Sequence, residues 1–356
     1  MRAQHLIGKP FASVVEAVHW FGAVQSQDYP AAKWALGQRI KNATDSALDH
    51  LFDEGAILRT HVMRPTWHFV VPEDIRWIQE LTSPAVMRGL AGRHRRLGLD
   101  QDTVTRALRV FAKALKGRYL TRTELGDALR KAGIQPDGQR LPHMLAAAEH
   151  SNLITSGPRR GKQFTYALLE ERAPNAHSLD REDAVRGLTL LYFRSHGPAQ
   201  VKDLAWWSGL SVRDIRHGLE LAGAELARET IDGRDYWFWS RERRGDSPDL
   251  VAHLLPNFDE FTVAYRDREA LLHPELPFDP KLFAYSRDSS PMGGMLSNIV
   301  TINGRVRGAW SRRIEPRKVK VEVRAVAPVS RLEEDAVKTA AEQYGRFLER
   351  SMELSS

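Results

Sequence analysis

The 356-residue sequence contains no cysteine. This absence excludes a disulfide-stabilised scaffold, thiolate metal sites, iron–sulfur clusters and a cysteine nucleophile. The amino terminus lacks the apolar segment of a signal peptide, and no run approaches the ~20 apolar residues that span a bilayer. A chain of this length that is 42% hydrophobic and 27% charged is long enough to bury sizeable cores. We therefore expect a soluble protein located in the cytoplasm.

Common catalytic motifs are also missing. The sequence has no phosphate-binding loop, no G-x-S-x-G nucleophile elbow, no H-E-x-x-H pair and no glycine-rich dinucleotide fingerprint. Its 13 histidines are scattered without the spacing of metal ligands, so we expect neither a metal nor a cofactor. Any catalysis must therefore come from a site of a less common type.

The excess of basic charge is concentrated in two segments of a chain whose net charge is +7. Residues 88–140 hold thirteen Lys and Arg against five acids, and residues 301–324 hold eight against two. Residues 246–288 are acidic. Clustered cations attract phosphates by releasing counterions, although a solvated helical surface shows the same pattern. The distribution indicates a nucleic-acid partner without establishing one.

The order helix, helix, β-hairpin occurs three times, and this order is typical of a winged helix-turn-helix. The three copies span residues 1–87, 88–172 and 173–245. Residues 246–356 differ, because alternating strands, an Asn303–Gly304 turn and a helix over 331–351 indicate a β-rich domain. We predict an α+β fold with three tandem winged helix-turn-helix motifs, a β-rich C-terminal domain and a closing helix.

Local signals predict several element boundaries. Thr44 is the expected N-cap of one helix, and Thr121 with Glu124 forms a capping-box pattern at another. Ser211 is the expected N-cap of the second helix in the third helix-turn-helix. Asp232–Gly233 is typical of a two-residue hairpin turn in which both residues have positive φ.

The segment 23–40, AVQSQDYPAAKWALGQRI, is the strongest candidate for a reactive site. Gln25 and Gln27 flank Ser26, and on an extended turn the period of two points both amides to one side. Two neutral amides hold a water molecule through donor and acceptor groups. Polar capping at a helix start explains the same residues, so both interpretations stay open here.

Four stretches in the same order resemble a known family. Q-S-Q-D at 25–28 resembles the Q-x-Q or Q-x-D motif of the AlkZ-like winged-helix DNA glycosylases, which include the YcaQ-type crosslink glycosylases. RPTWHFV at 64–70 resembles the family's R-G-T-x-H strand, and LLPNFDEFTVAYRDR at 254–268 resembles its L-L-P-x-F-D block. INGRVRGAW at 302–310 resembles its D-G-x-x-x-G-x-W hairpin. The four stretches are short, but from the first to the last they span residues 25–310, which is most of the chain.

The resemblance implies a monofunctional DNA glycosylase of base excision repair. Its expected substrates are cationic alkylated purines, namely N7-alkylguanine and N3-alkyladenine, with interstrand crosslinks as a further class. It implies that Gln25 and Gln27 position the attacking water, because a cationic base leaves without a proton donor. Asp28, His68 and Asp259 are candidate supporting residues. Their structural alternatives, an N-cap, a satisfied histidine and a hydrogen-bonded buried acid, stay open.

The expected partner is double-stranded DNA with alkylated bases, bound by a monomer associated with the nucleoid. The cations expected at the DNA backbone are Arg93, Arg95, Arg96, Arg159, Arg160, Lys162, Arg305, Arg307, Arg312 and Arg313. The loop 286–298 is expected either to enter the minor groove, with Met292 and Met295 as wedges, or to be an ordinary flexible loop. A non-catalytic winged-helix transcriptional regulator and a protein-interaction scaffold stay open as alternatives.

Overall fold

The computed structural model describes residues 1–241, 245, 250–272 and 296–355. The chain divides into two compact units. The first combines Met1–Asp49, Leu191–Trp207 and Ala224–Ser356, and the second combines His50–Leu190 and Ser208–Gly223. Helices and strands contribute to both units, so the predicted α+β class is confirmed. In the described part of the chain, no helix is both long and apolar enough to cross a membrane.

Helices and strands alternate along the described residues. In chain order the helices are α1 (Val14–Phe21), α2 (Tyr29–Gly37), α3 (Asp45–Glu54), α4 (Ile75–Arg96), α5 (Gln101–Leu115), α6 (Arg122–Lys131), α7 (Arg140–His150), α8 (Leu169–Arg172), α9 (Arg181–His196), α10 (Val201–Ser208), α11 (Val212–Ala222), α12 (Glu260–Val263) and α13 (Arg331–Phe347). The strands are β1 (Val24–Gln25), β2 (Leu58–His61), β3 (Trp67–Val70), β4 (Leu120–Thr121), β5 (Ile154–Arg160), β6 (Gln163–Leu168), β7 (Leu226–Ile231), β8 (Arg234–Trp239), β9 (Ala252–Leu255), β10 (Ile299–Ile302), β11 (Arg305–Ile314), β12 (Lys318–Ala325) and β13 (Ser351–Ser355).

In the second unit, three helices enclose an apolar core. Phe111 of α5, Leu125 of α6 and Met144 of α7 lie in one buried cluster that also includes residues of the β5–β6 hairpin. β4 pairs with β6, so three strands run in the order β4-β6-β5. At the start of α6, Thr121 and Glu124 form the reciprocal hydrogen bonds of a capping box, which confirms that prediction.

A five-stranded sheet with the order β13-β12-β11-β10-β9 organises the first unit. β9 to β12 pair antiparallel, and β13 adds to β12 in parallel. Tyr344 of α13 contacts both Trp310 of β11 and Trp34 of α2, with ring centroids 5.3 and 4.8 Å apart. The predicted β-rich C-terminal region is confirmed, and the helix predicted over 331–351 is present as α13, although it ends at Phe347 and the strand β13 follows it. Asn303 and Gly304 both have positive φ, as the predicted hairpin turn requires.

The other local predictions also hold. The Thr44 hydroxyl accepts the Ala47 N–H at the start of α3, and the Ser211 hydroxyl accepts the Asp214 N–H at the start of α11. Asp232–Gly233 joins β7 to β8 with positive φ at both residues. These boundaries depend on hydrogen bonds within three or four residues, which is why the sequence predicts them.

His253 of β9 is buried in its neutral form. Its Nε2 donates to the Leu6 carbonyl at 2.8 Å, and burial lowers its pKa to about 4. In the unfolded chain the imidazole titrates near pH 6.5, so on acidification the unfolded state takes up the proton first. The neutral, buried imidazole therefore contributes its full stabilisation of the folded state above about pH 6.5. We expect it to be lost as the pH falls towards 4, by about 3 kcal/mol, in urea unfolding titrations at a series of pH values.

A variant at this position that cannot titrate provides the control for this pH prediction. His253→Gln keeps an N–H donor for the Leu6 carbonyl but does not titrate, so the unfolding free energy of this variant should depend less on pH than that of wild type. A constant difference between wild type and His253→Gln at all pH values would contradict the account.

Candidate active site at the Q-S-Q-D segment

The Q-S-Q-D segment connects β1 to α2 in the first unit. β1 ends at Gln25, and α2 begins at Tyr29 with Pro30 in its first turn. Asp28 is the N-cap, and its Oδ1 accepts the Ala31 N–H at 3.2 Å. The structure therefore shows the capping role that the sequence left open for Asp28.

The two glutamines differ in exposure. Gln25 is buried, with 7% of its surface exposed, whereas Gln27 is exposed to solvent. The Oε1 atom of Gln25 is buried without a hydrogen-bond partner among the described residues. A buried amide oxygen is normally hydrogen-bonded to protein or to water, so this atom has an acceptor position open to a further donor. Gln25 thus retains an acceptor that a water molecule or a substrate can use.

Glu260 holds the backbone of Gln25, a contact that sequence analysis missed. Glu260 is 2% exposed, and its Oε1 accepts the Gln25 N–H at 2.7 Å. Its Oε2 accepts the Trp207 Nε1–H at 3.1 Å and lies 3.3 Å from His196 Nε2. The available signal was a second acid directly after Asp259 in an apolar stretch, since a buried charge must be satisfied by partners.

Asp259 forms a buried ion pair with Arg39. Arg39 Nη1 donates to Oδ2 at 2.9 Å and Nη2 donates to Oδ1 at 2.7 Å. The carboxylate also accepts the Phe261 N–H at 2.9 Å and caps α12. Of the two interpretations that the sequence left open for Asp259, the structure shows the hydrogen-bonded structural acid.

Segments that lie far apart in the sequence meet at this site. Asn257 Nδ2 donates to Asp28 Oδ2 at 3.1 Å, next to the Glu260–Gln25 contact. Trp34 and Trp310 each donate an indole N–H to a backbone carbonyl of β9, at 2.7 and 2.8 Å. The Q-S-Q-D segment, the LLPNFDEF segment and the 302–310 hairpin are therefore joined by side-chain hydrogen bonds within the first unit.

Three further candidate residues are the supporting residue His68 and the expected minor-groove wedges Met292 and Met295. His68 lies on β3 in the second unit, fully buried, with Nδ1 at 3.0 Å from the Thr66 carbonyl oxygen. This contact agrees with the structural alternative for His68. Met292 and Met295 lie outside the described residues. Across the described ranges, no group of three His, Asp or Glu side chains is arranged to hold a metal ion.

Most of the cations expected to contact DNA are exposed. They are Arg93, Arg95, Arg96, Arg160, Lys162, Arg305 and Arg313. The first three form the last turn of α4, where the negative end of the helix dipole favours cations. Arg160 also donates to Glu124 at 2.8 Å, which neutralises part of its charge. The α4 turn is therefore the densest exposed cluster among these cations.

The other three expected cations are only partly exposed, and each of them contacts another side chain. Arg159 Nη2 donates to Asp53 Oδ2 at 3.0 Å, and Arg307 Nη2 lies 3.1 Å from Glu333 Oε1. The Arg312 guanidinium lies over a tryptophan ring at 5.4 Å from its centroid. Asp53 and Glu333 lie 106 and 26 residues from their arginines, which is why the sequence alone did not separate Arg159 and Arg307 from the exposed cations.

Comparisons with known proteins identify the family of this chain. A family model described as DNA glycosylase AlkZ-like matches residues 18–347, a range that includes the Q-S-Q-D segment and Glu260. The solved structure of Streptomyces sahachiroi DNA glycosylase AlkZ is similar, with a TM-score of 0.79, 20% sequence identity, and coverage of 100% of this chain and 97% of that chain. No curated protein matches the sequence. The family match spans nearly the whole chain, so this protein belongs to the AlkZ-like family and is a DNA glycosylase.

Proposed function

We propose that this glycosylase hydrolyses the N-glycosidic bond of cationic alkylated purines in duplex DNA, with water positioned by Gln25 and Gln27. The observation that carries the proposal is the buried Gln25 amide. Glu260 fixes its backbone, and its Oε1 keeps its acceptor capacity. Gln27, two residues later and exposed, supplies a second amide from the solvent side.

The proposed reaction needs no general acid. The water oxygen bonds to C1′ while the C1′–N9 bond breaks, and the electron pair of that bond neutralises the cationic purine. One water proton passes to solvent, and the DNA keeps an abasic site. Glutamine is not a base at neutral pH, so the site contributes by orienting the water. Normal purines, which are poor leaving groups without protonation, should stay intact, whereas crosslinks through a cationic purine N7 fall within the same chemistry.

We also propose that three winged-helix modules build most of the chain, over residues 1–87, 88–172 and 173–245, followed by the β-rich domain 246–356. The element order α5–β4–α6–α7–β5–β6 with the sheet β4-β6-β5 supports this. The same order of helix, short strand, two helices and two strands runs from α1 to β3. In the third copy, Ala199 forms an isolated β-bridge with Trp237 of β8. This bridge takes the place that the short strands β1 and β4 have in the other two copies.

The proposed partner is duplex DNA with alkylated bases, bound by a monomeric protein in the nucleoid. The exposed arginines at the end of α4 support this, because cations that neutralise phosphates release the counterions condensed on DNA. Arg305 and Arg313, both exposed, are the corresponding candidates in the first unit.

A base-release panel tests the proposed function. Purified protein with a chelator is mixed with duplexes that carry N7-methylguanine, N3-methyladenine or an N7-linked interstrand crosslink, and free bases are measured by mass spectrometry. We expect release of both methylated purines and none from undamaged DNA. Tight binding to all duplexes without release of any base would contradict the proposal and favour a transcriptional regulator.

A further inference from the structure

We infer that Glu260 is a positioning residue for base release, which acts by fixing Gln25; this inference rests on the proposed function. The residue lies at the start of α12 and reaches the Gln25 N–H, 235 positions earlier in the chain, at 2.7 Å. A backbone N–H at a strand end is usually satisfied by another backbone group. Here a buried charged side chain accepts it, which makes the bond stronger than a neutral one.

The carboxylate of Glu260 is itself held from its other side. Oε2 accepts the indole N–H of Trp207 and faces His196 Nε2, and both of these residues are fully buried. His196 is in turn fixed by Ser195 Oγ at 2.8 Å from its Nδ1 and by the stacked ring of Tyr192. The position of Gln25 is thereby tied to buried aromatic side chains of α9 and α10 as well as to its own strand, β1.

The backbone before Glu260 also indicates a specialised turn. Phe258 has φ of +60°, in the left-handed region that bulky residues rarely adopt. Its N–H donates to the Leu296 carbonyl at 3.1 Å. The two acids that follow Phe258 in the chain have different partners. Asp259 is neutralised by Arg39, whereas Glu260 accepts the Gln25 N–H. Strained turns of this kind are concentrated at functional sites.

Two substitutions of Glu260 test separately the length and the charge of its side chain. Glu260→Gln keeps the shape but has one acceptor oxygen, so its NH₂ must face either the Gln25 N–H or the Trp207 N–H. Glu260→Asp keeps the charge but is one methylene shorter and loses reach to Gln25. We expect each variant to lower the single-turnover rate of base release by about 10- to 100-fold, with DNA affinity changed by less than about threefold.

A double-mutant cycle tests whether Glu260 acts through Gln25. Gln25→Asn is the partner variant, because it should leave a measurable residual rate. If Glu260 positions Gln25, then Glu260→Gln should lower the rate of base release by less than about threefold in the Gln25→Asn background. The reason is that the amide which Glu260 positions is already displaced in that background. A purely structural role would give the same fold loss in both backgrounds. Glu334→Gln, at an exposed position of α13, is the matched control and should keep the wild-type rate.

The outcomes distinguish this inference from the proposed function. An active wild type with non-additive losses supports the inference. An active wild type with additive losses, or a Glu260→Asp variant at the wild-type rate, overturns the inference alone. A folded wild type that releases no base overturns the proposed function and the inference with it. Melting temperatures and DNA affinities of all variants establish that rate losses do not reflect unfolding.

Discussion

Replacing Gln25 or Gln27 by alanine is expected to reduce base release from an N7-methylguanine duplex to the spontaneous rate of depurination. The physical reason is that orientation of the water is the main contribution that two neutral amides make, and such contributions reach about 10²- to 10³-fold per group. DNA affinity should change by less than about threefold, because the cations proposed to bind the phosphates remain. Single-turnover base release and DNA titrations measure the two quantities separately.

The matched control for the glutamine variants is Gln343→Ala. Gln343 lies on α13 in the same unit, away from the Q-S-Q-D segment in the sequence, and the substitution removes the same amide group. It should keep the wild-type rate. If Gln25→Ala and Gln27→Ala both release base within about threefold of wild type, the water is not positioned by these amides.

Arg39→Met is expected to destabilise the protein strongly. Arg39 donates two hydrogen bonds to the fully buried Asp259 carboxylate, and its removal leaves that charge without its cation. Breaking a buried ion pair in this way costs about 3–5 kcal/mol. Urea unfolding of wild type and variant at neutral pH measures the difference.

A second variant shows whether the cost comes from the uncompensated charge. Asp259→Asn keeps an oxygen that accepts the Phe261 N–H at the start of α12 but removes the charge. The double variant Arg39→Met, Asp259→Asn should therefore recover much of the stability lost in Arg39→Met alone. A loss below about 1 kcal/mol in Arg39→Met would show that the pair contributes little.

The parts of the fold that the sequence predicted are those with short-range causes. The capping box at Thr121, the N-cap at Ser211 and the turn at Asn303–Gly304 all depend on neighbouring residues. The α+β class followed from the alternation of such elements. α4 was not predicted, because its first half buries residues on several faces and Pro84 lies inside it, so no single apolar stripe marks it.

The sequence identified the Q-S-Q-D motif of the candidate site, but it did not identify the residues that hold this motif by hydrogen bonds. The resemblance indicated Gln25 and Gln27 as candidate residues, and the family that it indicated is the one that the comparisons confirm. The Glu260–Gln25 and Asn257–Asp28 hydrogen bonds join segments more than 200 residues apart, and no local pattern encodes such pairs. For the same reason the sequence could not show that Arg159 and Arg307 are engaged in ion pairs within the protein.

The proposed catalysis depends on two neutral amides that direct water to a cationic purine. The most direct measurement is single-turnover release of N7-methylguanine from one defined duplex, without metal, by wild type and by Gln25→Ala, Gln27→Ala protein side by side. We expect free N7-methylguanine and an abasic site with wild type, and only spontaneous release with the double variant, at equal DNA affinity. Equal release by both proteins, or no release by either despite binding, would contradict it.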